Sequence, residues 1–208
     1  MGSSAGTKGI EGRRLPRGSH GIPAAVVARN QRERLVAAIA EVCAEVGYAE
    51  ATVAGVAKRA GVSSLTFYEQ FAGKRDCLLA AHRQLLGRLL EEVDLARGAE
   101  SEPGTQVRVA IRTALALLAA DPPSAQLLTV EILAAGPGGA RRHDAMVEAF
   151  ASRLRAATDP SDDALLTNTD WMRVAGMLAL VGKLVVAGEA SRLPELEEEL
   201  VAMVSPRA

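Results

Sequence analysis

The sequence predicts an all-α fold, in which short helices form a small N-terminal domain and longer helices form a C-terminal bundle. Aromatic residues make up 3% of the chain while Ala, Leu and Val dominate, and this composition favours helices over strands rich in aromatic residues. Apolar residues recur at intervals of three and four, as on one face of a helix, without the alternation typical of strands. Glycine and proline interrupt these periodic segments, so each predicted helix has a defined end.

The N-terminal part contains four predicted helices, each with a local start or stop signal. They cover Arg29–Val46, Thr52–Arg59, Ser63 to about Gln70, and Lys74 to about Ala96. Gly47 ends the first helix, and Gly73 separates the third from the fourth. Thr52 and Ser63 are favoured N-cap residues for the second and third helices.

Proline and glycine clusters divide the rest of the chain into five further helices. The predicted ranges are Val107–Ala120, Ser124–Ala135, Arg141–Ala157, Asp162–Ala187 and Leu193–Val204. The fourth of these is the longest and most apolar, but its apolar run contains Lys183 and is too short to span a bilayer. We therefore expect a buried or interface helix and no membrane span.

Charge is divided unequally along the chain. The formal net charge is −1, yet residues 1–75 carry 11 Lys and Arg against 6 Asp and Glu, and residues 76–208 carry 13 against 19. A basic N-terminal part joined to an acidic remainder suits a protein that meets phosphates at one end. The distribution points to nucleic acid as a partner.

The sequence lacks the groupings that metal binding, nucleotide hydrolysis or covalent catalysis need. Cys77 and His82 are five residues apart, which does not place two ligands on one helix face, and no third ligand accompanies them. The glycine-rich stretch 136–139 lacks the lysine and hydroxyl of a phosphate-binding loop. Cys43 and Cys77 are expected to be buried free thiols, which fits a reducing cytoplasm. We expect no metal, no cofactor and no enzymatic activity.

The turn between the second and third helices is typical of a helix-turn-helix. Ala57 is small where two helices approach closely, Gly61 can adopt the left-handed conformation of the turn, and Val62 fills the core. The next helix carries hydroxyl groups near its N-terminal end, at Ser63, Ser64, Thr66 and Tyr68. Hydrogen bonds to phosphates and base edges are expected there.

An ordered series of residues at fixed spacing resembles the pattern of the tetracycline-repressor (TetR) family. The series is Gly47-Tyr48, Thr52-Val53, Val56-Ala57, Ala60-Gly61-Val62-Ser63, Thr66-Phe67-Tyr68, Phe71, Lys74 and Cys77-Leu78. The resemblance implies a dimeric transcriptional repressor with three parts. These are a flexible arm over residues 1–28, a DNA-binding helix-turn-helix domain over 29–73, and a ligand-binding and dimerisation domain over 74–208.

The resemblance also implies DNA contacts at specific positions. Thr52 would bind a phosphate at the start of the second helix, Tyr68 would contact the DNA backbone, and Lys74 would meet a phosphate. The residues implied to face the major groove are Ser63, Ser64, Leu65, Thr66 and Phe67. Leu65 and Gln70 depart from the family, in which glycine and histidine are frequent at these positions, so no operator sequence is implied.

Basic residues also lie before and at the start of the first helix. Arg17 belongs to a segment, 15–21, that resembles the minor-groove arms of some family members, and Arg29 lies at the entry of the helix. The alternative is a solvated tail without DNA contacts. Residues 10–13 and 16–20 also resemble a protease site and the remnant of an expression tag, which leaves the origin of this arm open.

The C-terminal domain is expected to bind a small apolar or amphipathic effector, of unspecified identity, among its helices. The candidate polar anchors of this pocket are Arg108, Arg112, Glu131 and Arg173. Trp171, the single tryptophan, either lines the same pocket or belongs to the core.

Small residues recur along the longest C-terminal helix. This stripe contains Ala175, Ala179, Gly182 and Val186. The resemblance implies that the stripe forms the homodimer interface, with Leu178 and Val185 beside it. The alternative is that the same stripe packs within one chain.

Together these observations predict a cytoplasmic repressor that lays two recognition helices in successive major grooves of operator DNA and is released by its effector. The competing interpretation is a helical ligand-binding or interaction protein whose helix-turn-helix no longer reads DNA. Leu65 and Gln70 motivate that alternative.

Overall fold

A computed structural model describes residues 23–158 and 167–204 of the protein. All the regular secondary structure of these residues is helical, which confirms the predicted all-α class. The helices are α1 Ala24–Glu50, α2 Val53–Ala60, α3 Ser64–Gln70, α4 Lys74–Gly98, α5 Pro103–Ala120, α6 Pro122–Gln126, α7 Ile132–Ala134, α8 Pro137–Thr158, α9 Asn168–Val186 and α10 Glu197–Val204. A π-helical turn, Leu127–Glu131, joins α6 to α7, and a 3₁₀ segment, Ala190–Leu196, precedes α10.

Helices α1, α2 and α3 and the first turns of α4 share one hydrophobic core. Its largest fully buried side chains include Leu35, Ile39, Val56, Phe67 and Leu78. Leu35 and Ile39 belong to the apolar stripe of α1, which was predicted from apolar spacings of three and four residues. Leu127, Ile132 and Ala135 from the segment around α7 join the same cluster, so this core also connects the N-terminal domain to the rest of the chain.

Local signals set the ends of these helices as predicted. Gly47, with a φ of +77°, breaks α1, and Gly61, with a φ of +63°, ends α2 in the left-handed conformation that glycine adopts without strain. The hydroxyl oxygens of Thr52 and Ser63 each accept a backbone N–H from the residue three positions later, at 3.0 Å. Helix α1 begins at Ala24 rather than the predicted Arg29, since Pro23 supplies a backbone angle that suits a helix start.

The second core lies between α5, α8, α9, α10 and the later turns of α4. Its buried members include Leu115, Met146, Val181, Leu193 and Leu200. Residues 159–166 lie outside the described part, so the predicted start of the longest helix at Asp162 is not among the described residues. The helix predicted for Leu193–Val204 is wrong in its first part, where a 3₁₀ segment contains Pro194, because proline has no N–H to donate to a regular α-helix.

The two cysteines are buried free thiols, as predicted, and burial raises the pKa of both to about 12. Neither is expected to react as a thiolate at neutral pH. Within the described residues, no helix combines the length and hydropathy that crossing a bilayer requires.

Candidate nucleic-acid interface and interior cavity

Helix α3 has one face anchored in the N-terminal core and the other exposed to solvent. Phe67 is 0% exposed and packs against Phe71, with 5.7 Å between ring centroids. The exposed residues of the helix are Ser64, Leu65, Tyr68 and Glu69. Because these positions are one and four residues apart, they form a single outward surface, here called the α3 face.

The prediction that Phe67 faces the major groove is wrong. Its ring is enclosed by the core, and the ring of Tyr68 meets it edge-on, with 5.6 Å between centroids. Tyr68 remains 58% exposed, so its phenol projects from a base that Phe67 fixes. Phe67 therefore positions the α3 face and does not belong to it.

The hydroxyls of Thr52 and Ser63 act first as helix caps. Each oxygen accepts a backbone N–H, which leaves the hydroxyl hydrogen available to a further acceptor. Thr52 is exposed at the start of α2, and the Ser63 oxygen lies 3.1 Å from the hydroxyl of half-buried Thr66. Thr52 can therefore donate to a phosphate without giving up its capping bond.

Lys74 is half-buried and held by the end of α1. Its Nζ donates to the backbone carbonyls of Tyr48, Ala49 and Ala51 at 2.9–3.0 Å and lies 4.7 Å from the centroid of the Tyr48 ring. An ammonium group has three hydrogens to donate, and these three carbonyls accept them all. The predicted phosphate contact of Lys74 is wrong, since its partner is the negative end of the α1 dipole.

Two arginines of α1 cap the neighbouring helices in the same way. Arg34 donates to the carbonyls of Ala60 and Gly61 at the end of α2, and Arg32 donates to that of Gln70 at the end of α3 at 2.9 Å. These guanidinium groups therefore hold the helix-turn-helix together.

The remaining basic side chains of this domain differ in how free they are. Arg59 is held by the carboxylates of Glu41 and Glu45, at 2.9 and 2.6 Å. Lys58, which the sequence reasoning missed, is exposed and forms no ion pair with any described residue, and Arg29 is likewise exposed. A lysine in the last turn of a helix is too common for sequence alone to single it out. Arg17 lies outside the described residues.

A cavity lies in the second core, between α4, α5, α8 and α9. Its volume is about 880 Å³, including the part open to solvent, and apolar side chains form nearly all of its wall. The larger ones include Leu89, Ile111, Leu115, Met146, Phe150 and Leu178. Such a wall suits a ligand whose body is apolar.

Two arginines, which the sequence reasoning did not identify, border this cavity. Arg153 binds the Asp94 carboxylate through Nε and Nη2 at 2.8–3.0 Å, and Arg97 lies 3.6 Å from the same carboxylate. Two guanidinium groups therefore share one carboxylate, which leaves one positive charge in excess at the cavity wall. The two arginines are far apart in sequence, so no local pattern could have joined them.

The predicted anchors Arg108 and Arg112 are wrong. Neither lines the cavity, because both face α10, where Arg112 binds Glu197 at 2.8 Å and Arg108 pairs with Glu197 and Glu198. Their charges fix α5 to α10 instead.

The other three predicted pocket residues also lie away from the cavity wall. Trp171 is exposed on the outer surface of α9, so neither core nor pocket describes it. Arg173 is close to Asp170 on its own helix, at 4.0 Å. The Glu131 carboxylate is buried and accepts the backbone N–H of Tyr48 at 2.7 Å and the Gln126 side-chain amide at 2.8 Å.

Glu131 thereby joins the cavity-bearing domain to the end of α1. It is the last residue of the π-helical turn, and two other residues of that turn, Leu128 and Thr129, line the cavity. One short segment therefore touches the cavity on one side and holds the backbone of Tyr48 on the other.

The small-residue stripe of α9 is split between the interior and the surface. Gly182 is buried, and a Cβ there would lie 3.4 Å from the Val130 side chain. Val185 is buried in the second core, so the interface role predicted for Gly182 and Val185 is wrong. Leu178 is half-buried and lines the cavity. The outward members are Ala179 and Val186, with Ala175 half-buried.

The comparisons with known proteins agree with this arrangement. Residues 35–81 match the model of the family described as bacterial regulatory proteins, tetR family. The HTH-type transcriptional regulator BetI of Stenotrophomonas maltophilia (strain R551-3) is 40% identical over 82 residues, which cover 39% of this chain and 42% of that protein. The match thus spans less than half of that relative.

Solved structures share the fold over more of the chain. FadR, a fatty acid degradation regulator from Bacillus halodurans, gives a TM-score of 0.73 at 19% identity, over 84% of this chain and 94% of that one. The transcriptional regulator FadR from Bacillus subtilis, in complex with stearoyl-CoA, gives a TM-score of 0.72 at 19% identity, over 83% and 96%. At such identities the likeness concerns the fold.

Proposed function

Because this chain belongs to the tetR family of bacterial regulatory proteins, we propose that it is a homodimeric transcriptional repressor, released from operator DNA by a small apolar or amphipathic effector. The observation that carries this proposal is the α3 face, an outward polar and apolar surface held rigid by buried Phe67. The protein acts in the cytoplasm, as a regulator and not as an enzyme.

The DNA-binding domain comprises residues 29–73, and each protomer places α3 in a major groove. Two half-sites then lie about 34 Å apart, one turn of the duplex. Ser64, Leu65 and Thr66 face the bases, while Thr52 and Tyr68 donate to phosphates. Arg29, Arg17 and the rest of the N-terminal arm reach the neighbouring minor groove.

The outer face of α9 forms the dimer interface of the second domain, residues 74–208. Ala175 and Ala179 allow a close approach between helices, and Val186 is 62% exposed in the monomer. Ala179→Glu should therefore give monomers in sedimentation experiments, whereas Ala116→Glu, on the exposed face of α5, should leave dimers intact.

The effector occupies the apolar cavity. The FadR relative in complex with stearoyl-CoA supports a ligand with a long acyl chain, and the excess positive charge of Arg97 and Arg153 favours an anionic group on that ligand. Its entry shifts Leu128 and Thr129 in the π-helical turn. The bond from Tyr48 to Glu131 passes that shift to α1, so the effector favours the conformation that fits DNA poorly.

A second candidate is a helical ligand-binding protein that does not read DNA. Glu69 favours it, because an exposed carboxylate on the α3 face repels phosphates. A direct measurement of DNA binding by the dimer distinguishes the two candidates.

The experiment selects bound sequences from random duplex DNA and then measures affinity by fluorescence anisotropy across a salt series. A repressor enriches a near-palindromic sequence, binds it less tightly as salt rises, and releases it when myristoyl-CoA is added. Undetectable or salt-independent binding would end the repressor proposal in favour of the second candidate.

A further inference from the structure

Leu65 is an apolar side chain that is exposed to water in the free protein. It is 71% exposed, next to Ser64 on the α3 face. The opposite side of the helix is locked, because the Arg32 guanidinium lies 4.2 Å from the centroid of the Phe71 ring and donates to the carbonyl of Gln70. Leu65 therefore cannot turn into the core without unfolding α3.

A leucine side chain can neither donate nor accept a hydrogen bond, and this limits what it can read. In the major groove all four bases present polar groups, whose water a leucine would displace without replacing its hydrogen bonds. Thymine alone presents an apolar group there, its 5-methyl. A leucine facing the bases therefore favours thymine and disfavours the other three.

We propose that Leu65 selects a thymine in each operator half-site by packing against its 5-methyl group. The inference rests on the proposed DNA binding and adds to it the identity of one base. Tyr68 supports the geometry, since its ring is fixed edge-on against Phe67 one turn further along the same face. A phosphate contact from Tyr68 would set the depth at which Leu65 meets the base.

The test removes the methyl group alone. After sequence selection with the full-length protein, each selected thymine is replaced in turn by deoxyuridine, which lacks only the 5-methyl, and affinity is measured at fixed salt. Loss of one buried methyl-sized contact weakens binding about fourfold, and loss in both half-sites about fifteenfold. The penalty should appear at one thymine per half-site.

Two variants connect that penalty to Leu65. Leu65→Ala should bind the thymine and deoxyuridine duplexes equally, and its thermal unfolding should match the wild type because the side chain is exposed. Leu95→Ala removes a leucine of similar exposure, 74%, from α4 and should keep the full penalty.

The outcomes are distinct. Wild-type affinity that is unchanged by deoxyuridine at every thymine, or a penalty that persists in Leu65→Ala, overturns the inference while leaving DNA binding in place. Failure to enrich any sequence refutes DNA binding itself, and the inference with it.

Discussion

Replacing Lys74 with alanine separates a structural role from a DNA contact. The Nζ of Lys74 donates to three carbonyls at and just after the end of α1. The last carbonyls of a helix have no partner within it, and here Gly47 interrupts the helix just before them. The substitution therefore leaves these carbonyls without their donor and removes a positive charge from the negative end of the α1 dipole.

The loss of stability in Lys74→Ala can be estimated because one ammonium group serves three acceptors. A hydrogen bond to a charged group contributes about 1.5–3 kcal/mol. Because one charge serves all three bonds, we expect a total of about 3 kcal/mol rather than the sum of three separate bonds. For a chain of this length, such a loss lowers Tm by about 6–12 °C.

Thermal unfolding followed by circular dichroism measures this loss, and DNA titration across a salt series measures the other role. Lys74→Ala should unfold at lower temperature and leave the slope of log affinity against log salt unchanged. Lys58→Ala, its matched control, should keep the wild-type Tm and reduce that slope by about 1.8 per dimer, one phosphate for each protomer.

A wild-type Tm for Lys74→Ala, or a salt slope flattened as much as in Lys58→Ala, would contradict the capping role of Lys74. Lys74→Met, which keeps most of the aliphatic stem over the Tyr48 ring, distinguishes the lost charge from lost packing. It should be nearly as destabilised as the alanine variant.

Three further outcomes are expected. Burial lowers the pKa of His82 to about 4, so His82 takes up a proton at higher pH in the unfolded chain than in the folded one. The free energy of unfolding should therefore fall by about 3 kcal/mol between pH 6.5 and pH 4. Urea titrations of His82→Leu should lack this loss, and a pH dependence equal to that of the wild type would contradict it. Ala114→Phe, in the cavity wall, should abolish effector binding by calorimetry while the exposed Ala116→Phe does not; equal binding by both would place the effector elsewhere. Glu131→Ala should lower the free energy of unfolding by about 1–3 kcal/mol, because it leaves the Tyr48 N–H without an acceptor. It should also reduce the effect of the effector on DNA affinity, whereas Glu131→Gln, which keeps an acceptor, should not. An undiminished effect of the effector in the alanine variant would exclude transmission through the Tyr48–Glu131 hydrogen bond.

Apart from the start of α1, the helix boundaries of the N-terminal domain could be predicted because their signals are local. Thr52 and Ser63 cap the helices that follow them, and Gly47 and Gly61 have positive φ angles where the sequence required a break. Each signal acts within four residues, so it needs no knowledge of tertiary packing.

The side chains that line the cavity could not be predicted, because their direction depends on which helix packs against which. Arg108 and Arg112 lie on an amphipathic helix whose polar side happens to meet the glutamates of α10. Arg97 and Arg153 meet at Asp94 only because α4 and α8 cross there. Phe67 was misplaced for a similar reason, since a seven-residue helix is too short for its periodicity to reveal the inner face.

The unequal charge distribution that pointed to nucleic acid overstates the number of basic side chains that are free to bind phosphates. Residues 23–75 contain seven Lys and Arg. Three of them cap helix ends, Arg59 is held by two glutamates, and the Arg75 guanidinium lies against Gly138 of α8. Arg29 and Lys58 remain, so a dimer offers four such cations from this part of the chain, enough for a salt slope of about −3.6. A steeper slope requires the four basic residues of 1–22, so the measured slope indicates how much of the binding to phosphates comes from the N-terminal arm.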